Sequence, residues 1–244
     1  MKRKLHRLWL IPFFFCTYHL AQADEVNYEK LQEKIVSQVP KLKGHIQHIQ
    51  PSGVWDLFEI DTDDHQIIYT DKEVTYLFAG EIYQTQNLQN ITQKRLDVIN
   101  AVAWQQLPLS LSIKRVKGNG KRELVVFSDP DCPYCRRLES ELTKITDVTI
   151  YTFVYPIASL HPDAPQRSAQ IWCATNRAKA WDEYLLRKKQ INKNTQCDLS
   201  DLEKVQSLAE KLNINGTPTL IFKTGEKVPG AISANDLEKL LGPH

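Results

Sequence analysis

Two cysteines in the second half of the chain have the spacing that dithiol chemistry requires. They end the tetrapeptide Cys132-Pro133-Tyr134-Cys135, which follows an apolar run at 124–127 and precedes an amphipathic run at 136–145. The first run predicts a buried strand and the second a helix, so Cys132 should lie where a strand ends and a helix begins. Unpaired backbone N–H groups and the positive end of the helix dipole stabilise a thiolate there. Pro133 suits the first helical position, where its missing N–H costs nothing.

Cys135 follows Cys132 by about one helical turn, close enough for the two sulfurs to form a small disulfide. One sulfur can attack and the other resolve, which is thiol–disulfide exchange with the dithiol itself as redox group and no further cofactor. Half of a zinc site is the first alternative, but it needs a second Cys or His pair, and Cys173 and Cys197 lack that spacing. The sequence therefore predicts no metal. The second alternative, a purely structural disulfide, has no need of a helix N-terminus.

A proline before the last apolar strand strengthens the redox interpretation. Thr217-Pro218 follows Asn215-Gly216 and precedes an apolar run at 219–222. Proline is tolerated at the start of a strand, and a Thr-Pro bond in a tight turn is a candidate for the cis form. An ordinary trans loop proline is the alternative, which the upstream C-x-x-C motif disfavours.

Together these motifs resemble the active site and cis-proline loop of the thioredoxin fold. The closer similarity is to the DsbC/DsbG thiol:disulfide interchange proteins of the bacterial periplasm. The N-terminal part resembles that family mainly in its length and in its order of a helix followed by strands. In the C-terminal half the resemblance rests, in the family's order, on Phe127-Ser128-Asp129-Pro130-Asp131-Cys132-Pro133-Tyr134-Cys135, Ile171-Trp172-Cys173-Ala174, Gly216-Thr217-Pro218-Thr219 and Val228-Pro229-Gly230.

The resemblance implies a disulfide isomerase and reductase that acts as a homodimer on misoxidised exported proteins. It also implies a membrane thiol reductase of the DsbD type as electron donor. Thr217 and Pro218 would bind an extended substrate segment beside the Cys132 sulfur, while Pro133 and Tyr134 would tune the thiolate pKa and the reduction potential. The C-P-Y-C form is nearer to DsbG, whereas the Cys173/Cys197 pair is nearer to DsbC.

Two other functions stay open. A monomeric dithiol oxidase can also contain C-P-x-C, but the N-terminal domain and the second cysteine pair argue against it. A chaperone-like holder of unfolded chains would use the cleft between two protomers. Substitution of both Cys132 and Cys135 by alanine would separate holding from exchange.

Two further polar residues lie near the motif or in a later loop. Asp129, three residues before Cys132, is a candidate proton acceptor for the resolving step. It is either buried, with a pKa raised by desolvation, or a solvated loop carboxylate. Thioredoxins carry a buried acid six residues before the first cysteine, where this chain has Val126. His161 precedes a proline in a polar loop and is predicted to be a surface histidine.

The first 23 residues differ in character from the rest. Four basic residues precede an apolar run at 8–15, and Ala21-Gln22-Ala23 is an A-x-A cleavage site. This pattern predicts a cleaved secretory signal peptide and a periplasmic protein, and the apolar run is too short to span a bilayer. An uncleaved anchor is the alternative. Cleavage would leave 27 of the 31 basic residues against 29 acidic ones, a net charge of −2 that gives no basis for nucleic-acid binding.

Cleavage would also remove Cys16 and leave four cysteines in an oxidising compartment. Four cysteines allow three connectivities, and local closure favours Cys132–Cys135, which leaves Cys173–Cys197. That second bridge closes a loop of about 25 residues and is predicted to stabilise the fold by about 3–4 kcal/mol. Cys173 falls inside a predicted helical run at 169–177, away from any helix N-terminus, so this pair is predicted to be structural.

The expected architecture has three parts after the signal peptide at 1–23. Residues 24–90 form an α+β dimerisation domain, with a helix at 27–39 and a small antiparallel sheet that includes strands at 54–60 and 66–70. Such a domain is marginal alone, which favours pairing with a second copy. Asn90 caps a linker helix at 91–106, with Gln93 returning the bond, in a linker at 91–108. Residues 109–244 form an α/β thioredoxin-like domain with a helical insertion at 163–186. One continuous domain without a hinge is the alternative.

Overall fold

A computed structural model describes residues 26–191 and 196–243, which divide into two compact units after Ala79. The predicted signal peptide at 1–23 lies outside the described residues. Within those two ranges, no helix combines the length and the apolar character that a bilayer crossing demands.

The first unit packs one helix on a four-stranded antiparallel meander. Helix α1 (Tyr28–Gln38) precedes strands β1 (Ile46–Pro51), β2 (Phe58–Thr62), β3 (Ile67–Thr70) and β4 (Leu77–Ala79), paired in chain order. Asn27 caps α1 by accepting a hydrogen bond from the Lys30 N–H. Leu31 and Ile35, about one turn apart on α1, pack on Ile49, Phe58 and Ile60 of the sheet and on Val74 in the turn before β4.

The predicted strand at 54–60 begins later than expected. Residues 52–57 form a turn in which the Ser52 N–H donates to the Leu57 carbonyl over 2.9 Å and Trp55 has a φ of 48°. That left-handed conformation cannot continue a strand. At the other end of the sheet, β4 is an edge strand, and Tyr76, Leu77 and Phe78 are exposed.

The second unit begins with a hairpin, β5 (Tyr83–Gln84) and β6 (Gln89–Asn90), followed by α2 (Ile91–Ile99). Asn90 caps α2 as predicted, but the Gln93 side chain donates to Asp97 instead of returning the capping bond. The helix is shorter than the predicted 91–106, and a short 3-10 turn follows at Trp104–Gln106. It ends early because the Val102 N–H donates to the Gly225 carbonyl, 2.9 Å away, and draws the chain out of the helix.

A five-stranded mixed sheet forms the centre of the second unit. Its strands are β7 (Ile113–Lys117), β8 (Arg122–Ser128), β9 (Val148–Val154), β10 (Thr219–Phe222) and β11 (Lys227–Pro229), in the order β11-β10-β8-β9-β7. Only β8 and β9 run parallel among neighbouring strands of this sheet. Because strand side chains alternate between faces, Val125 and Phe127 belong to one core and Leu124 and Val126 to another.

Helices cover both faces of this sheet. Helix α6 (Ser200–Lys211) supplies Val205 and Ala209 to the first core. Helices α3 (Pro133–Leu142) and α7 (Ala234–Leu241) supply Leu138 and Leu237 to the second. These layers are the α/β arrangement predicted for the second domain.

The helical insertion predicted at 163–186 consists of two helices, α4 (Ala164–Trp172) and α5 (Arg177–Arg187). The sequence pattern placed Cys173 inside a helix, and this was wrong. Cys173 is the C-cap residue of α4, and its N–H donates to the Ala169 carbonyl. The chain breaks here because the Asn176 side chain accepts a hydrogen bond from the Lys179 N–H and starts a new helix. Trp172 and Trp181, one from each helix, are buried in the same cluster as Cys132 and Cys135.

Candidate active site at the N-terminus of helix α3

The C-x-x-C motif lies at a strand–turn–helix junction, as predicted. Strand β8 ends at Ser128, and Cys132 is the N-cap residue of α3, with extended backbone angles and Pro133 as the first helical residue. The Cys132 carbonyl accepts the first helical hydrogen bond, from the Arg136 N–H. Pro133 and Tyr134 are exposed, whereas both cysteines are buried free thiols.

The Cys132 side chain is surrounded by hydrogen-bond donors. The Cys135 thiol has the largest effect, and the Cys135 N–H, the Thr217 hydroxyl and the Tyr134 N–H add to it. Together they outweigh the desolvation of the sulfur and lower the pKa of Cys132 to about 5. Cys132 is therefore a thiolate at neutral pH, the form that attacks disulfides.

The second thiol has the opposite character. Cys135 is completely buried, and this burial, followed by its interaction with Cys132, raises the pKa of the Cys135 thiol. The backbone N–H of Asp129 donates to the Cys135 sulfur over 3.4 Å. The motif thus contains one ionised sulfur near the surface and one protonated sulfur behind it.

The proline loop meets the motif. The Thr217–Pro218 peptide bond is cis, and Cys132 in its protonated form donates its S–H to the Thr217 carbonyl, 3.3 Å away. The two segments are 85 residues apart in the sequence. They come together because β10, which starts at Thr219, pairs with β8, which leads into the motif. The predicted cis bond and the predicted proximity of the two motifs are both confirmed.

Asp129 is completely buried, so the solvated-loop alternative is wrong. Its carboxylate accepts hydrogen bonds from the Asp131 N–H and the Ile157 N–H, each over 2.7 Å. The third partner is His161, whose ring Nδ1 lies 3.0 Å from the carboxylate. The predicted surface histidine is therefore a partner of the buried acid, and this hydrogen bond, the largest cause, raises the pKa of His161.

Asp131, the residue before Cys132, anchors the motif to the helical insertion, a role that no sequence motif indicated. The Tyr184 hydroxyl donates to its carboxylate over 2.5 Å, and the Arg167 side chain donates over 3.0 Å. Burial, followed by the bond to Asp131, raises the pKa of Tyr184 to about 12. Because these partners lie 53 and 36 residues away, no local pattern could have indicated them.

The second cysteine pair is bonded as predicted. Cys173 and Cys197 form a disulfide that links the end of α4 to the segment before α6. Cys173 is partly buried and Cys197 is exposed.

Comparison with known proteins assigns the chain to a family. The family described as "Disulfide bond isomerase protein N-terminal domain" matches residues 19–93, and the one described as "Thioredoxin-like domain" matches residues 109–243. A probable thiol:disulfide interchange protein DsbC of Bordetella parapertussis is 33% identical over 221 residues, covering 91% of this chain and 76% of the relative. The chain belongs to the DsbC family.

Two further relatives agree with this assignment. The DsbC of Escherichia coli K12 is 24% identical over 201 residues, which cover 80% of this chain and 81% of that protein. The crystal structure of a disulfide interchange protein from Neisseria gonorrhoeae is 44% identical, with a TM-score of 0.51, and covers 55% of this chain and 96% of that one. This DsbC-family protein is a thiol–disulfide oxidoreductase with an α+β N-terminal domain followed by a thioredoxin-like domain. Its boundaries at 24–90, 91–108 and 109–244 stay predictions.

Proposed function

We propose that the protein is a periplasmic disulfide isomerase and reductase that acts on exported proteins with wrongly paired cysteines. The observation that carries this proposal is the unequal ionisation of the two thiols. Cys132 is stabilised as a thiolate at the start of α3, while burial keeps Cys135 protonated. The match of the N-terminal residues to an isomerase domain supports isomerase over the monomeric oxidase.

In this mechanism the Cys132 thiolate attacks one sulfur of a substrate disulfide, and the other substrate sulfur leaves as a thiolate. If a thiol of the substrate then displaces Cys132, the substrate is rearranged and the enzyme is unchanged. If Cys135 attacks instead, the substrate leaves reduced and Cys132–Cys135 becomes a disulfide. The raised pKa of the Cys135 thiol slows its attack on the mixed disulfide, so the mixed disulfide has time to rearrange.

Thr217 and Pro218 are the proposed substrate-binding residues. The Thr217 carbonyl accepts the hydrogen bond of the Cys132 thiol, and ionisation of that thiol would leave the oxygen ready for a substrate N–H. A substrate segment could then add as a short extended strand beside the sulfur. The exposed residues Pro133 and Tyr134 lie between the two active-site cysteines and would tune the thiolate pKa and the reduction potential.

The proposed partners are a second copy of the chain and a membrane thiol reductase of the DsbD type. The N-terminal unit supports the homodimer, because β4 pairs only with β3 within the part of the chain that the structure describes and exposes Tyr76 and Phe78. The reductase would return electrons to the Cys132–Cys135 disulfide after each reductive cycle. The dithiol itself serves as the redox group.

The function is tested by reactivation of scrambled ribonuclease, run beside refolding of fully reduced ribonuclease. We expect recovery from the scrambled form, its loss in Cys132→Ala, and partial retention in Cys135→Ala with loss of reductase turnover. Activity only towards the reduced substrate would make the protein an oxidase. Suppressed aggregation that survives in the Cys132→Ala/Cys135→Ala variant would show that holding is separate from exchange.

The dimer is tested by the solution mass of Phe78→Asp against Leu88→Asp. Both residues are exposed apolar side chains, but Leu88 lies on the hairpin turn of the second unit. We expect only Phe78→Asp to give a monomer. A dimer that survives this charge would place the interface elsewhere.

A further inference from the structure

A buried carboxylate, Asp129, holds His161, and the main chain of this same residue contacts both active-site cysteines. Three hydrogen bonds restrain this histidine. Its ring Nδ1 lies 3.0 Å from Asp129 Oδ2. Its backbone N–H donates to the Ile157 carbonyl over 2.9 Å, and its backbone carbonyl accepts from the Ala164 N–H over 3.0 Å. The Ile157 N–H binds the same carboxylate oxygen, so the loop between β9 and α4 closes around the pair. The imidazole keeps 22% exposure, and its Nε2 makes no hydrogen bond within residues 26–191 and 196–243.

Asp129 connects this histidine to both cysteines through its main chain. Its N–H donates to the Cys135 sulfur over 3.4 Å, and its carbonyl accepts the Cys132 N–H over 3.3 Å. A single residue thus touches the resolving thiol, the attacking cysteine and the histidine. An ordinary surface histidine would have none of these connections.

The charged groups that face His161 favour its protonated form. The Asp129 carboxylate has the largest effect, and the Cys132 thiolate and the Asp131 carboxylate act in the same direction against partial desolvation. Asp131 also carries the Arg167 side chain, which offsets part of its charge. The imidazolium and the Cys132 thiolate therefore coexist in a pH range that starts near 5 and reaches above the ordinary histidine value of about 6.5.

We propose that His161, positioned by Asp129, is a second ionisable group of the redox centre, which stabilises the Cys132 thiolate as imidazolium and supplies a proton to the departing substrate sulfur. This proposal rests on the thiol-exchange function proposed above. It assigns to Asp129 the role of holding the histidine, which differs from direct proton acceptance.

The proton and electron balance of the step is complete. The Cys132 sulfur forms a bond to one substrate sulfur and the substrate S–S bond breaks, so Cys132 is oxidised to the mixed disulfide and the other substrate sulfur is reduced. That sulfur leaves with the electron pair and takes the proton from His161 Nε2, which leaves a neutral imidazole. Solvent returns the proton through the exposed side of the ring. No external oxidant or reductant takes part.

The test is the pH profile of iodoacetamide alkylation at Cys132 in the reduced full chain. His161→Asn keeps a donor near the Nδ1 position for Asp129 but removes the charge. We expect the midpoint of labelling to move up by about half to one pH unit, since a nearby positive charge no longer favours the thiolate. His65→Asn is the control; His65 is exposed in a turn with a φ of 58°, a conformation that asparagine tolerates.

A second measurement observes the histidine itself. The pKa of the His161 ring, followed by NMR, should fall in Cys132→Ser because the thiolate that favours imidazolium is gone. This variant leaves the histidine loop unchanged, so it decides the matter even if His161→Asn does not fold. A purely structural histidine would show neither shift, and that result would overturn the inference.

The two proposals fail in different ways. Wild-type Cys132 that resists labelling at neutral pH after mild reduction would contradict the exchange function itself. Normal wild-type labelling, with identical midpoints in His161→Asn and His65→Asn, would contradict only the role of His161.

Discussion

Cys132 caps the N-terminus of α3, whereas Cys173 caps the C-terminus of α4. Free N–H groups and a partial positive charge surround a residue at the first kind of position, and free carbonyls with a partial negative charge surround the second. A thiolate is favoured in one place and disfavoured in the other. The hydrogen bond from the Cys135 thiol, together with the Cys135 N–H, the Thr217 hydroxyl and the Tyr134 N–H at this helix start, lowers the pKa of Cys132 to about 5, while Cys173 is held in a disulfide with Cys197.

The difference also predicts which bond exchanges. A disulfide breaks faster when the departing sulfur has a low pKa. Cys132 is such a leaving group, but a thiolate of Cys173 would form at the negative end of a helix. The first cysteines of the two pairs, Cys132 and Cys173, therefore lie in opposite electrostatic surroundings at the ends of their helices. The experiments below test this contrast.

The largest effect is expected on activity. Cys132→Ser should reduce insulin-disulfide reduction to the uncatalysed rate, because a hydroxyl at this position is not ionised and cannot form the mixed disulfide. The double variant Cys173→Ser/Cys197→Ser should keep turnover at temperatures where it is folded. Loss of turnover in the folded double variant would contradict the division between the pairs.

Stability should respond in the reverse way. Removal of the Cys173–Cys197 bridge, which links residues 24 apart, should lower the free energy of unfolding by about 3.5 kcal/mol, through the greater entropy of the unfolded chain. Urea unfolding of the double variant against wild type, with Cys132 and Cys135 blocked in both, measures this loss. A difference below about 1 kcal/mol would mean that the Cys173–Cys197 disulfide does not stabilise the fold appreciably.

The ionised thiol should make stability depend on pH. The pKa of Cys132 is about 5 in the folded chain and about 8.5 in an unfolded one, so its contribution is fully present above about pH 8.5 and is lost as pH falls towards 5. The difference in unfolding free energy between the reduced wild type and Cys132→Ser should rise with pH by at most about 1.4 kcal/mol per unit in this window. Urea unfolding at pH 6, 7 and 8 measures the slope, and parallel profiles would contradict it.

The smallest effect is expected at the proline loop. Thr217→Val removes the hydroxyl that hydrogen-bonds the Cys132 sulfur and keeps the side-chain shape, so the pKa of Cys132 should rise by about half a unit. Thiolate absorbance against pH measures the shift. Thr224→Val, on an exposed turn, is the control and should leave the profile unchanged. An unchanged profile in both variants would mean that the Thr217 hydroxyl does not lower the pKa of Cys132 and that the other donors alone stabilise the thiolate.

The local features of the site could be predicted from the order of the residues. The Cys132 cap, Pro133 at the first helical position and the buried strand before them depend on residues within a few positions of one another, and periodicity and capping rules describe such relations. The Cys173–Cys197 pairing followed from the small number of cysteines. Propensity alone did less well where a distant contact intervened: α2 ends early at the contact between Val102 and Gly225.

The distant groups around the two active-site cysteines became known from the folded chain. His161 reaches Asp129 across 32 residues, Tyr184 reaches Asp131 across 53, and Thr217 reaches Cys132 across 85. These residues come together because β8 pairs with β9 and β10 and because α4 and α5 pack beside the motif. The periodicity of one segment does not show which other segments pack against it. The carboxylate beside the motif could be seen in the sequence, but its histidine partner appeared only when the chain was folded.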